Sequence, residues 1–134
     1  MNPQVVTAAI ILRGTQVLVT RRAPGEKLAG MWEFPGGKIA NCETPESCLQ
    51  REILEELNIT GKTGDHLCDS LYEYSSGSIL LKAYFFDWQG GDMVLTVHDS
   101  CRWIEPEELD LIELAPADVP IAATVKEYLR DLYS

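Results

Sequence analysis

Residues 45–57, PESCLQREILEEL, impose the strongest local constraint in the chain. Thr44 is a favoured N-cap, Pro45 suits the first helical position, and Glu46 and Ser47 fall in the first turn, so the stretch predicts a helix. Leu49, Ile53 and Leu57 recur at helical spacing and give it one face for a core. On the polar side, Glu52, Glu55 and Glu56 stand at i, i+3 and i+4, which brings their carboxylates to one patch. Each like-charged pair at that spacing costs about 0.2–0.5 kcal/mol in an isolated helix, and the C-terminal end of the macrodipole disfavours anions further. Two readings follow. The patch is a solvated acidic face, or it supplies hard oxygen ligands to a divalent cation, magnesium or manganese.

Ahead of the helix stand Pro35-Gly36-Gly37 and a short extended run, residues 38–40. Gly37 is followed by five residues and Glu43, then by seven residues and Arg51-Glu52-Ile53-Leu54-Glu55-Glu56-Leu57-Asn58-Ile59. This spacing resembles the signature of the Nudix hydrolase family, G-x5-E-x7-R-E-U-x-E-E-x-G-U with U apolar. Asn58 replaces the last Gly, and Asn is the next best residue for a left-handed helix end. The resemblance implies that Glu52 and Glu56 are metal ligands and that Glu55 lies in or next to the ligand set. It also implies that the Gly36 carbonyl is a ligand and that Arg51 and Glu43 brace the loop. Either Glu52 or Glu55 would serve as base. The implied cofactor is Mg2+, with Mn2+ able to substitute.

The formal net charge of −10 argues against broad polyanion binding, which needs a basic face. A small phosphorylated ligand remains compatible if a metal and a few local cations neutralise it. Hydrophobic residues at 46% and charged residues at 24% fit a soluble globular chain of 134 residues, expected to be one domain, 1–134. Cys42, Cys48, Cys68 and Cys101 show no CxxC or metal spacing. With no signal-peptide pattern or long apolar run, they are expected to be reduced thiols of a cytoplasmic protein with no membrane partner.

Residues 5–12 (VVTAAIIL) predict a strand buried on both faces, and residues 13–16 a turn. Residues 17–20 predict the returning strand of a hairpin. That strand delivers Arg21 and Arg22, one on each face: either a salt-bridged edge, or one contact for a phosphate or base. Residues 23–31 form a loop. Trp32 and Phe34 are core or a ligand platform, and Lys38 reaches a phosphate or is simply exposed. Beyond the helix, residues 60–64 read as a turn-rich join, while 67–74 and 79–88 read as a second hairpin across the turn 75–78. Residues 89–92 are a turn, 93–97 a short edge strand, 101–104 a short strand and 105–109 a helix start. Residues 120–132 form an amphipathic helix with Ile121, Val125, Leu129 and Leu132 on one side. The expected architecture is α/β: an α/β/α sandwich with a mixed sheet, which is also the fold the resemblance implies.

Val19-Thr20-Arg21-Arg22, its distance from residues 32–39, and residues 103–120 are similar to the MutT-like branch of nucleoside triphosphate pyrophosphohydrolases. The resemblance implies that Arg22 contacts the nucleotide. Asp118 stands where an Asn of that branch reads oxidised guanine. An ionised carboxylate only accepts hydrogen bonds, so Asp118 suits an amino-bearing base such as cytosine, unless it merely caps the last helix. Val97 stands where many relatives carry a further metal-binding Glu, and His98 beside it is structural or approaches the phosphates. The expected activity is Mg-dependent hydrolysis of (d)NTPs to the monophosphate and pyrophosphate. Cytosine nucleotides are favoured, 8-oxo-dGTP comes next, and the purpose is removal of modified nucleotides from the pool. Expected substrate-binding residues are Arg22, Lys38, Phe34 and Asp118. Expected catalytic residues are Arg51, Glu52, Glu55 and Glu56, the last three also ligating metal with Gly36. The alternatives are a Nudix hydrolase of ADP-ribose or dinucleoside polyphosphates, and a non-catalytic nucleotide-binding domain. Oligomeric state stays open between monomer and homodimer.

Overall fold

The computed structural model describes residues 2–133. Strand β1 (Gln4–Ile10) runs parallel to β6 (Gly77–Gly90), which pairs antiparallel with β5 (Thr60–Tyr74) in a three-stranded mixed sheet. A second, antiparallel sheet centres on β3 (Gln16–Arg22). It is flanked by β2 (Leu12–Arg13) and β4 (Trp32–Glu33) on one edge and by β7 (His98–Ile104) on the other. The helices are α1 (Pro45–Leu57) and α2 (Asp118–Leu132).

Period-2 alternation in the strands builds two cores at once. Ala8, Ile10, Val17, Val19, Leu81 and Ala83 pack with Ile121, Val125 and Leu129 of α2. Their neighbours Ala9, Ile11, Leu18, Tyr84 and Phe86 pack with Leu49, Ile53 and Leu57 of α1. The continuous apolar runs of β1, β3 and β6 are therefore buried on both faces, with one helix on each side. Burying each large α1 side chain contributes about 1.5–3 kcal/mol.

Thr44 caps α1 as expected, accepting from the Ser47 N–H at 3.1 Å, and Asn58 ends the helix at φ 58°. Several expectations are corrected. Residues 5–12 do not form one strand: the chain passes to the second sheet after Ile10. Residues 60–64 belong to β5, where bulges near Gly61 and Thr63 absorb the glycines that suggested a turn. Of residues 38–40, only Lys38 forms a bridge, to Val6. Residues 93–97 pair with no strand. They are extended against the end of α1, the Val94 and Thr96 N–H groups donating to the carbonyls of Leu57 and Glu56 at 2.9 and 3.1 Å. Pairing those orphan carbonyls offsets the cost of acidic side chains at a helix C-terminus. β7 begins at His98 rather than 101, the helix start at 105–109 is a short 3-10 helix (Pro106–Asp110), and α2 begins two residues early. Leu132 is 54% exposed, outside the apolar face.

Candidate active site

Pro35-Gly36-Gly37 lies along β1 with almost no clearance. The N–H groups of Ala9 and Thr7 donate to the carbonyls of Pro35 and Gly37, both at 2.7 Å. A Cβ on Gly36 would stand 2.0 Å from the Thr7 carbonyl oxygen, and one on Gly37 would stand 2.3 Å from the Glu52 carboxyl carbon. Only glycine allows this approach.

Arg51 ties the loop to the helix. Its Nε and Nη2 donate to the two Glu43 oxygens at 2.6 and 2.9 Å, its Nη2 to the Lys38 carbonyl at 3.2 Å, and its Nη1 to Glu52 Oε1 at 2.9 Å and Glu55 Oε2 at 3.2 Å. Hydrogen bonds from Arg51 hold the Glu43 carboxyl down at about 2. Beneath this network the buried Cys48 thiol donates to the Lys38 carbonyl at 3.4 Å, and burial pushes the thiol up.

Glu52, Glu55 and Glu56 differ in environment. Glu55 is exposed and Glu52 is mostly covered, so burial raises the Glu52 carboxyl. Glu56 is the most perturbed of the three. Its Oε1 is buried without a partner, and burial first, then Glu33 and Glu52, pushes its carboxyl up to about 8. Arg51 holds Glu52 and Glu55 on its guanidinium rather than on each other, and among the described residues no three His, Cys, Asp or Glu side chains form a ready metal cage.

Across from Glu56 stands Glu33, which the sequence reading did not single out. It accepts from Arg22 Nη1 at 3.0 and 3.2 Å and shares a 2.8 Å hydrogen bond with His98 Nε2. Its neighbours Trp32 and Phe34 are buried in the α2-side core, so alternation turns Glu33 to the α1 side. That W-E-F alternation was the signal available. Arg22 is on the site face; Arg21 faces away and pairs with Asp99 at 2.8 Å.

The Phe34 ring belongs to the core; at the site Phe34 contributes its backbone N–H. Lys38 is exposed. Asp118 is 6% exposed and does not cap α2, whose N-cap is Ala117. Instead its Oδ2 accepts from the Phe34 N–H at 3.0 Å. This extends the closure of the β4 edge begun by Trp32 N–H to the Glu113 carbonyl and by Ala115 N–H to the Trp32 carbonyl. Burial raises the Asp118 carboxyl well above the usual range. Val97 contributes its carbonyl to the Ala23 N–H and no carboxylate. All four cysteines are free thiols. Among the described residues no helix is long and apolar enough to cross a membrane.

A mixed α/β/α frame clamps a glycine loop onto a carboxylate-bearing helix. The NUDIX domain model matches residues 2–125, and the chain belongs to the Nudix hydrolase family. It is similar to the CTP pyrophosphohydrolase of Escherichia coli (strain K12), with 36% identity over 116 residues covering 87% of this chain and 86% of that protein. It is also similar to the 8-oxo-dGTP diphosphatase of the same organism, 29% identical over 123 residues, covering 92% and 95%. The solution structure of the E. coli ORF135 protein superposes with a TM-score of 0.85 at 34% identity, covering 98% of this chain and 94% of that one.

Proposed function

We propose that this chain is a cytoplasmic, single-domain, Mg-dependent nucleoside triphosphate pyrophosphohydrolase that converts a modified or cytosine (d)NTP to the monophosphate and pyrophosphate. The observation that carries the reading is Glu56. A buried carboxylate oxygen with no partner, on a group pushed up to about 8, needs either a proton or a cation. Glu52 and Glu55 on the same helix patch complete a set of hard oxygen donors suited to Mg2+ or Mn2+. Carbonyls alternate along an extended segment, so those of Pro35 and Gly37 facing β1 turn the Gly36 carbonyl away from it, free to join the set. A bound Mg2+ supplies charge neutralisation on the phosphates and a water of lowered pKa.

The chain's own residues do the rest. Arg51 and Glu43 fix the loop on the helix. Arg22, held by Glu33, offers guanidinium N–H groups to a phosphate or base, and Lys38 stands exposed at the loop's exit. Glu52 or Glu55 takes the water's proton. Asp118 presents Oδ1, which carries no protein hydrogen bond among the described residues, to the base. As a neutral acid, the form its burial favours, Asp118 donates as well as accepts. It then suits 8-oxoguanine as well as cytosine, a reading supported by the names of the CTP pyrophosphohydrolase and the 8-oxo-dGTP diphosphatase to which this chain is similar.

The test is pyrophosphate release with Mg2+ from CTP, dCTP, 5-methyl-dCTP, 8-oxo-dGTP, dGTP, dATP and dTTP, for the wild type and Asp118→Asn. Turnover concentrated on the cytosine set or 8-oxo-dGTP, with the preference altered in the variant, supports the reading. ADP-ribose and diadenosine polyphosphates run alongside, read by their nucleotide products. Turnover of these alone overturns the substrate class, and no turnover of anything leaves a nucleotide-binding domain.

A further inference from the structure

A β-bulge brings His98 into the site. β7 pairs with β3 in regular antiparallel register from Val17–Ile104 to Arg21–Ser100. Continued unchanged, that register would set Arg22 opposite Asp99. One extra residue is inserted there, so Arg22 faces His98 instead, and the displaced Asp99 pairs with Arg21 on the other face. Bulges are devices for re-aiming side chains beside functional sites. This one exchanges an exposed carboxylate for a buried imidazole opposite Arg22.

The His98 side chain is fully buried. Nε2 meets Glu33 Oε2 at 2.8 Å, and Nδ1 is buried without a partner. An apolar side chain would fill the space with no orphaned nitrogen, so packing alone does not account for an imidazole here. What the imidazole supplies is the Nε2–H donor to Glu33. Glu33 in turn accepts from Arg22 Nη1 with both oxygens, and Arg22 Nε donates to the Lys27 carbonyl.

We propose that His98 is a positioning residue: through Glu33 it fixes the Arg22 guanidinium in the orientation that receives the nucleotide. His98 touches no reacting atom. This inference rests on the assignment of Arg22 to substrate binding.

Two readouts test it. The first needs no turnover: the Nη1–H resonance of Arg22, from the group that meets Glu33 rather than the Nε–H held by the Lys27 carbonyl, is assigned by its loss in Arg22→Lys and reports whether Glu33 holds the guanidinium. It is expected to be shifted from the exposed-arginine position and slow to exchange with solvent in the wild type. In His98→Phe it should move to the exposed position. In His98→Gln, whose amide nitrogen can donate from near the Nε2 site, it should return. The second is steady-state kinetics with CTP and 8-oxo-dGTP. His98→Phe is expected to raise KM about tenfold, the scale of one hydrogen bond to a charged group, with a much smaller change in kcat. His98→Gln should recover most of it. In a Glu33→Gln background His98→Phe should add little, because the path is already cut. An unchanged Arg22 resonance in His98→Phe overturns the proposal, as does a KM effect that persists in full without Glu33. Should the wild type turn over no nucleotide, the proposed activity fails, and the resonance alone decides whether His98 positions Arg22.

Discussion

The α-carbon of Gly37 rests against the carboxylate of Glu52 so closely that a methyl group there would come within 2.3 Å of both Cδ and Oε2. The loop and the helix are thus fitted through one glycine and one glutamate. Gly37→Ala must push Glu52 off its position, or lift the loop from β1 and break the bonds to Thr7 and Ala9.

Gly37→Ala is expected to lower kcat/KM by about 100-fold, since displacement of a catalytic group by about 1 Å costs that much. The helix should survive, because its caps and buried face are untouched. Kinetics beside far-UV circular dichroism check this. A variant with near-normal kcat/KM would show that the close contact is not needed for activity.

Asn58 closes α1 in the left-handed conformation at φ 58°, and its side-chain amide donates to the Asp92 carbonyl at 3.0 Å. Asn58→Ala loses both advantages and should cost about 1–2 kcal/mol of unfolding free energy in a urea titration. Asn58→Gly keeps the backbone freedom and loses only the amide contact, so it should lie between the two. Equal stability of all three proteins would contradict the cap assignment.

Asp118 gives a pH dependence whose sign follows from its burial. Its folded carboxyl is raised above the ordinary 3.8, so the folded state holds the proton more tightly than the unfolded chain. Its contribution is then full below that ordinary value and is lost as pH rises toward the folded value. Asp118→Asn can accept from the Phe34 N–H without carrying a titrating charge. Its Tm relative to wild type should therefore climb as pH rises above the ordinary carboxyl value of 3.8, as calorimetry at several pH values would show. A constant difference would mean that Asp118 stays ionised throughout.

The parts of this protein legible in the sequence are those set by local rules. α1 could be bounded at both ends because Thr44, Pro45 and Asn58 act on their own backbone and Leu49, Ile53 and Leu57 share one face. β1, β3 and β6 showed themselves as unbroken apolar runs because both faces are covered. What escaped was set at long range. Residues 60–64 carry two glycines and extend only because β6 is there to pair with them. Residues 93–97 have the pattern of a strand, but their N–H groups donate to the free carbonyls at the end of a helix rather than to another strand. The sequence left Asp118 open between a base reader and a helix cap, and its bond to the Phe34 N–H, 84 residues away in sequence, could not be read from it. Glu33 and His98 are 65 residues apart, and a bulge joins them.

Glu56 is the direct test of the account. Release of pyrophosphate from CTP and 8-oxo-dGTP would be measured with Mg2+ for the wild type and Glu56→Gln, alongside the Tm of each with and without the metal. Supporting residues around metal ligands typically cost 10–100-fold when lost, so a ligand itself should cost about 100-fold or more. Without metal the variant should melt no lower than the wild type, because it removes a buried charge, and Mg2+ should raise the Tm of the wild type only. Near-normal turnover by Glu56→Gln would contradict the central claim that this buried carboxylate holds the catalytic cation.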